Sequence, residues 1–120
     1  MRINANELPL ALQVGDATFQ ATDWDDMRAL LISLPAGTDA TPLLKGLPDD
    51  LCQCPHWGYV RKGRLRVTYD SSSETFYEGD VYYMPSGHTL AAEEDTELIE
   101  FSPPHAYDEV VQAVRRNTGQ

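Results

Sequence analysis

Turn residues interrupt this chain so often that little room is left for helix. Asp23–Asp26, Pro35–Gly37, Gly46–Asp50, Lys62–Gly63, Asp70–Ser73, Glu78–Asp80, Pro85–Gly87 and Glu93–Asp95 are all rich in residues that bend or stop a backbone. Short apolar or alternating runs lie between them. These are 17–22, 27–34, 41–45, 57–61, 74–77, 81–84, 90–92 and 96–102. In one more run, Leu65, Val67 and Tyr69 alternate with Arg64, Arg66 and Thr68, the pattern of a strand with one wet face. Short strands at such spacing predict an all-β sandwich or barrel. Met27 to Leu34 fits a short helix by periodicity alone, but its length, Ile32 and the stop at Pro35-Ala36-Gly37 favour a strand.

The two ends read differently. Leu8, Leu10, Leu12 and Val14 alternate, as in a short edge strand or an arm laid on a neighbouring subunit. After Pro103-Pro104, the residues Tyr107, Val110, Val111 and Val114 fall at helical spacing. Asp108 and Glu109 come early, and Arg115 and Arg116 late, which suits the helix dipole and predicts one helix over 105–116. The 120 residues fit one domain, 1–120, with the barrel over 16–102. A formal charge of −10 repels phosphate backbones and anionic lipid, so no nucleic-acid or membrane partner is expected. No apolar run approaches membrane-spanning length, and the N-terminus lacks a signal peptide's apolar core. The expected location is cytoplasmic. The only cysteines, Cys52 and Cys54, would sit about 6.5 Å apart in an extended segment, at the outer edge of disulfide geometry. They read as two free thiols in a reducing compartment.

The stretch Tyr59 to Val67, followed by Glu78-Gly79-Asp80-Val81-Tyr82-Tyr83-Met84-Pro85-Ser86-Gly87-His88, resembles the two motifs of a small single-domain cupin of the cupin 2, RmlC-like type. The resemblance covers about 30–102, and Leu34-Pro35-Ala36-Gly37-Thr38 is similar to the usual approach to the first motif. It implies a jelly-roll barrel, an interior site, frequently a divalent metal, and often a homodimer. The ligands depart from the family pattern of His-x-His, then Glu, then a glycine seven residues on. Counting back from Gly63 puts His56 in the glutamate's place. The paired histidines are missing. One register puts Leu43 and Lys45 there, the other Asp50 and Cys52. The second motif's histidine falls on Leu90, while His88 stands two residues earlier.

Cys52, Cys54 and His56 share a parity, so an extended chain points all three to one face. Pro55 biases Cys54 toward the extended region. The functional reading is a rebuilt metal site of Cys54, His56 and His88, with Cys52 or a carboxylate as a fourth ligand. The only candidate general acids or bases are His56, His88 and nearby carboxylates such as Asp50 and Glu100. Mixed thiolate and imidazole donors favour zinc over magnesium or calcium. The competing reading keeps the cysteines as small buried apolar groups, their commonest fate. A Cys54–His56 nucleophilic pair has poor geometry, because side chains two apart on one strand run nearly parallel. Trp57, Tyr59 and Tyr83, with Tyr69 and Tyr82, are candidates to line a ligand pocket or to fill the core. Arg61, Arg64 and Arg66 read as a solvated strand face, and His105 as a surface residue. No nucleophile elbow, phosphate-binding loop or zinc-peptidase helix motif is present. Two functions follow: a metal-dependent enzyme acting on a small organic molecule inside the barrel, or a non-catalytic cupin that binds a small ligand there with no metal or only a structural one.

Overall fold

Nine strands and one long helix make up the computed structural model, which spans Met1–Gln120. The strands are β1 (Leu10–Val14), β2 (Ala17–Trp24), β3 (Met27–Leu34), β4 (His56–Lys62), β5 (Arg64–Thr68), β6 (Ser73–Tyr77), β7 (Val81–Met84), β8 (Thr89–Ala92) and β9 (Thr96–Ser102), followed by α1 (Pro104–Thr118). A six-stranded sheet has the order β1-β2-β3-β9-β4-β7, and a three-stranded sheet the order β6-β5-β8. Every named pairing is antiparallel.

Alternation places the core. Ile32, Leu98 and Val60 lie opposite one another across β3, β9 and β4 and face inward. Leu65 and Val67 of β5 and Phe76 of β6 meet them from the small sheet, all buried. Each such side chain contributes about 1.5–3 kcal/mol by leaving water. The Phe76 and Tyr82 rings stack at 4.8 Å, one from each sheet. At Gly63 (φ 94°) the chain swings from one sheet to the other. A side chain there would strike the Asp95 carbonyl and Thr96, so the corner admits only glycine.

The strands fall where the turn pattern puts them, with β2, β4, β6 and β8 a residue or two longer at an end. One expectation changes, and one pair of alternatives is decided. Thr41 to Lys45 is not a strand: Thr41–Leu44 is a 3-10 turn, with Pro42 at its start and Leu43 N donating to Ala40 O at 2.8 Å. Proline pre-sets that turn and cannot donate to a ladder. The N-terminal run is an edge strand of its own chain rather than a free arm. β1 pairs with β2, and an irregularity between Leu10 and Leu12 leaves Leu10 exposed while Leu12 is buried. The helix extends to 104–118. It begins with Pro104 in its first turn and ends on Gly119 in the left-handed conformation. No helix is long and apolar enough to cross a membrane.

Candidate metal centre

Two short backbone pieces place the site at one end of the barrel. Cys52 precedes β4 and is clamped to the Pro85–Gly87 turn: its N–H donates to His88 O at 2.8 Å, and its carbonyl accepts from Gly87 N at 2.8 Å. That antiparallel bridge sets Cys52 directly opposite His88. Ser86 Oγ donates to Gln53 O at 2.6 Å and tightens the same contact. His56 opens β4, paired with Met84, and faces inward. Cys52, His56 and His88 are all buried, and their ligand atoms lie within 4.8 Å of one another.

The hydrogen bonds orient both imidazoles. His88 Nδ1 lies 2.8 Å from Pro85 O. A carbonyl can only accept, so Nδ1 carries the proton and Nε2 carries a lone pair. That Nε2 is buried and has no hydrogen-bond partner. His56 Nδ1 is 2.7 Å from Ser102 Oγ and 3.4 Å from Glu100 Oε2. With Nδ1 donating to this pair, its Nε2 faces Cys52 Sγ at 3.6 Å. The two rings meet edge to face, 5.1 Å between centroids. Burial pushes both histidines down to about 4, His56 by desolvation alone and His88 also by its neighbour His56. Burial pushes the Cys52 thiol up to about 12. Without a cation the cluster is therefore neutral: two imidazoles and a thiol.

These donors fit a metal. A tetrahedral zinc with bonds of about 2.05 Å to nitrogen and about 2.3 Å to sulfur holds that pair of ligands about 3.6 Å apart. The separation of Cys52 Sγ from His56 Nε2 is the same. Neutral imidazole is the ligating form, and a cation would draw the proton from Cys52. Three protein donors is also the number that leaves a position open for a reacting molecule.

Around the cluster runs a buried polar network. Glu100 of β9 is buried, its Oε1 accepting from Tyr82 Oη at 2.7 Å. Burial raises its carboxyl from 4.5 to about 7, with the Tyr82 hydrogen bond opposing. Tyr82 reaches Glu100 across Gly58. A Cβ on Gly58 would lie 2.5 Å from the tyrosine's hydroxyl and 2.6 Å from Ile99 O. Tyr107 of α1 closes the far side, its ring 5.8 Å from His56. Beyond the cluster a cavity of about 100 Å³ opens between β1, the 3-10 turn and α1, walled mainly by Leu12, Phe19, Leu34, Leu44, Leu90 and Val111.

Several expected residues lie elsewhere. Cys54 is buried, but its thiol turns to Pro55 O (3.4 Å) and Pro103 O (3.9 Å), outside the three-donor group. The shared parity assumed a continuous strand through 52–56, whereas Cys52 makes only an isolated bridge and the ladder starts at His56. Trp57, Tyr59 and Tyr83 do not line the pocket. They are each about half exposed on the outer face of the six-stranded sheet, where Trp57 stacks on Tyr83 at 5.2 Å. Once His56 points inward, Trp57 and its cross-strand partner Tyr83 must point out. Asp50 is exposed and accepts from Gly46 N. Leu90 lines the cavity, and His105 is exposed. Arg64 and Arg66 pair with Glu93 and Glu94, and Arg61 with Glu97, on the barrel's outside. Ser102 and Tyr107 were not singled out as site residues by the sequence. For Ser102 the signal was available: Thr96, Leu98, Glu100 and Ser102 share one parity in β9, so polar residues stand in core positions.

No protein-family model and no curated protein matches the sequence. Solved structures do match in fold. An oxalate decarboxylase from Bacillus subtilis, an S161A mutant, superposes with TM-score 0.63 at 20% identity over 84% of this chain and 28% of that one. An RmlC-like cupin from Shewanella frigidimarina gives 0.61 at 16% identity, covering 85% and 88% of the two chains. A Cupin 2 conserved barrel domain protein from Salinispora arenicola gives 0.59 at 16%, covering 93% and 95%. This chain spans little more than a quarter of the oxalate decarboxylase. The chain has the cupin fold: a jelly-roll β-barrel with a C-terminal helix.

Proposed function

We propose that the chain binds one divalent metal, zinc by its donor set, through Cys52 Sγ, His56 Nε2 and His88 Nε2, and acts as a metal-dependent enzyme on a small organic molecule in the barrel. The observation that carries this reading is His88 Nε2. It is buried, fixed as an acceptor by Pro85, without a partner, and close to two further donors. A buried polar atom left unpaired costs about 1–3 kcal/mol, which a bound cation would recover. When bound, the metal supplies Lewis acidity toward a polar atom of the substrate.

The chain's own residues do the rest. Glu100 and Ser102 hold the Nδ1 proton of His56 and so keep Nε2 free to ligate. Glu100 also lines the cavity beside the cluster, where its carboxyl is placed to take or return a proton. Tyr82 fixes the carboxylate's orientation, and α1 with Tyr107 excludes water from the site.

Metal analysis of tag-free protein tests the reading. About one zinc per chain is expected, with near zero in His88→Ala at unchanged fold by circular dichroism. Wild-type protein that retains no zinc, cobalt, iron or manganese after anaerobic loading and desalting would overturn it. The non-catalytic alternative is favoured by the mainly apolar cavity wall. It predicts ligand binding that is the same with and without metal, and no turnover.

A further inference from the structure

We propose that the molecule taken by this cavity is small and uncharged, with an apolar body of a few carbons and a single polar head (hydroxyl, carbonyl or amide) that meets Cys52, His56 and His88. The position of the head rests on the metal reading above; the nature of the body rests on the cavity alone. The walls decide the body. Leu12, Phe19, Leu34, Leu44, Leu90 and Val111 come from strands, the 3-10 turn and α1, and they enclose the space on several sides. No lysine or arginine lines it. A carboxylate or phosphate on the body would be desolvated with no cation to meet it, the most expensive form of burial.

The head has one place to go. Cys52, His56, His88 and Glu100 form one connected cluster, through the 3.6 Å contact of Cys52 with His56, the 3.4 Å contact of His56 with Glu100 and the edge-to-face histidine rings. The lining also disfavours an anion: Glu100 is the one acidic side chain in the cavity wall, and no lysine or arginine stands there to meet a further negative charge, so a dianion such as oxalate has no protein cation at either end. Size follows from volume. An apolar cavity of about 150 Å³ accommodates benzene, so about 100 Å³ suits about four or five heavy atoms.

The test compares propionamide with propionate, its near-isostere, and with oxalate. Ligand-observed NMR titrations at pH 8 are run on the zinc-loaded protein and on the same protein after chelation. Propionamide should bind at least tenfold more tightly than propionate, and oxalate should not bind. Val111→Trp fills the cavity from a half-buried position on α1 and should remove propionamide binding while leaving zinc content unchanged. Leu44→Ala enlarges the cavity and should allow hexanamide to bind where wild type does not. If the chelated protein binds propionamide as well as the zinc-loaded one, the inference about the body stands and the metal reading loses its support. Propionate or oxalate binding as tightly as propionamide, no propionamide binding in either form, or unchanged binding in Val111→Trp would each overturn the inference.

Discussion

Replacing Glu100 by glutamine should make the metal-free protein more stable at alkaline pH and leave it nearly unchanged in acid. The side chain is buried, and its carboxyl is raised from 4.5 to about 7 by desolvation. A carboxyl raised in the folded state binds its proton more tightly there than in the unfolded chain. Its favourable contribution is complete below pH 4.5 and is lost as pH rises through about 7. A displacement of about two and a half pH units corresponds to about 3 kcal/mol of lost stability at pH 8. Glutamine keeps the shape and an oxygen to accept from Tyr82 Oη, and it has no charge to desolvate. The variant should therefore exceed wild type by up to about 3 kcal/mol at pH 8, near 10 °C in Tm for a chain of this size, and match it within about 0.5 kcal/mol near pH 4. The histidines titrate in part of the same range with the opposite sign, since both are lowered to about 4; their own burial is common to both proteins, and only their coupling to Glu100 enters the difference. Urea unfolding followed by tryptophan fluorescence, in chelator, between about pH 4 and pH 8.5, reads the gap directly. A gap that does not widen with pH, or a wild type more stable at pH 8, would refute the claim that Glu100 is held against desolvation.

The two cysteines should separate cleanly: Cys52→Ala loses bound zinc, whereas Cys54→Ala keeps it and loses about 1 kcal/mol of packing, as read by zinc content and thermal melts. Equal zinc loss in both would place Cys54 in the site. Zinc affinity should rise about tenfold per pH unit between about pH 6 and pH 9, because one proton leaves Cys52, whose thiol is pushed up to about 12, while both histidines are already neutral. A pH-independent affinity in competition titrations would remove the thiolate from the ligand set. The outer face of Trp57, Tyr59, Val81, Tyr83 and Phe101 is exposed and uncharged in a chain of charge −10, so a second copy can meet it there without opposing carboxylates. Light scattering at micromolar concentration should give a dimer, and Tyr83→Lys a monomer; a monomeric wild type would count against this face as an interface.

Most of the barrel is written in local pattern. The turn clusters bound the strands because glycine, proline and aspartate act on the backbone directly, and alternation in β5 and β9 names the inward side chains without any knowledge of their partners. Where a segment's conformation depends on what packs over it, local pattern says less. Thr41–Leu44 carries two leucines and looks like a strand, yet Pro42 and the fit of Leu44 beneath α1 make it a 3-10 turn. The alternating N-terminal run left open whether it pairs at home or abroad, since pairing with β2 is a long-range fact.

The site divides along the same line. His56 follows from counting back to Gly63: the register of β4 shifts between Val60 and Lys62, but from Val60 back to His56 the alternation holds and both ends of that run face inward. His88 follows from the turn that sets the start of β8. The choice between Cys52 and Cys54 could not follow, because the parity rule holds only inside a ladder, and these residues lie before one. What selects Cys52 is its two-way backbone bridge to the Pro85–Gly87 turn, a contact between segments more than thirty residues apart. The same bridge aims His88, through Pro85 O, and Cys52 at one point. A thiol and an unpartnered imidazole acceptor held together in this way are the arrangement that the proposed ligand set requires.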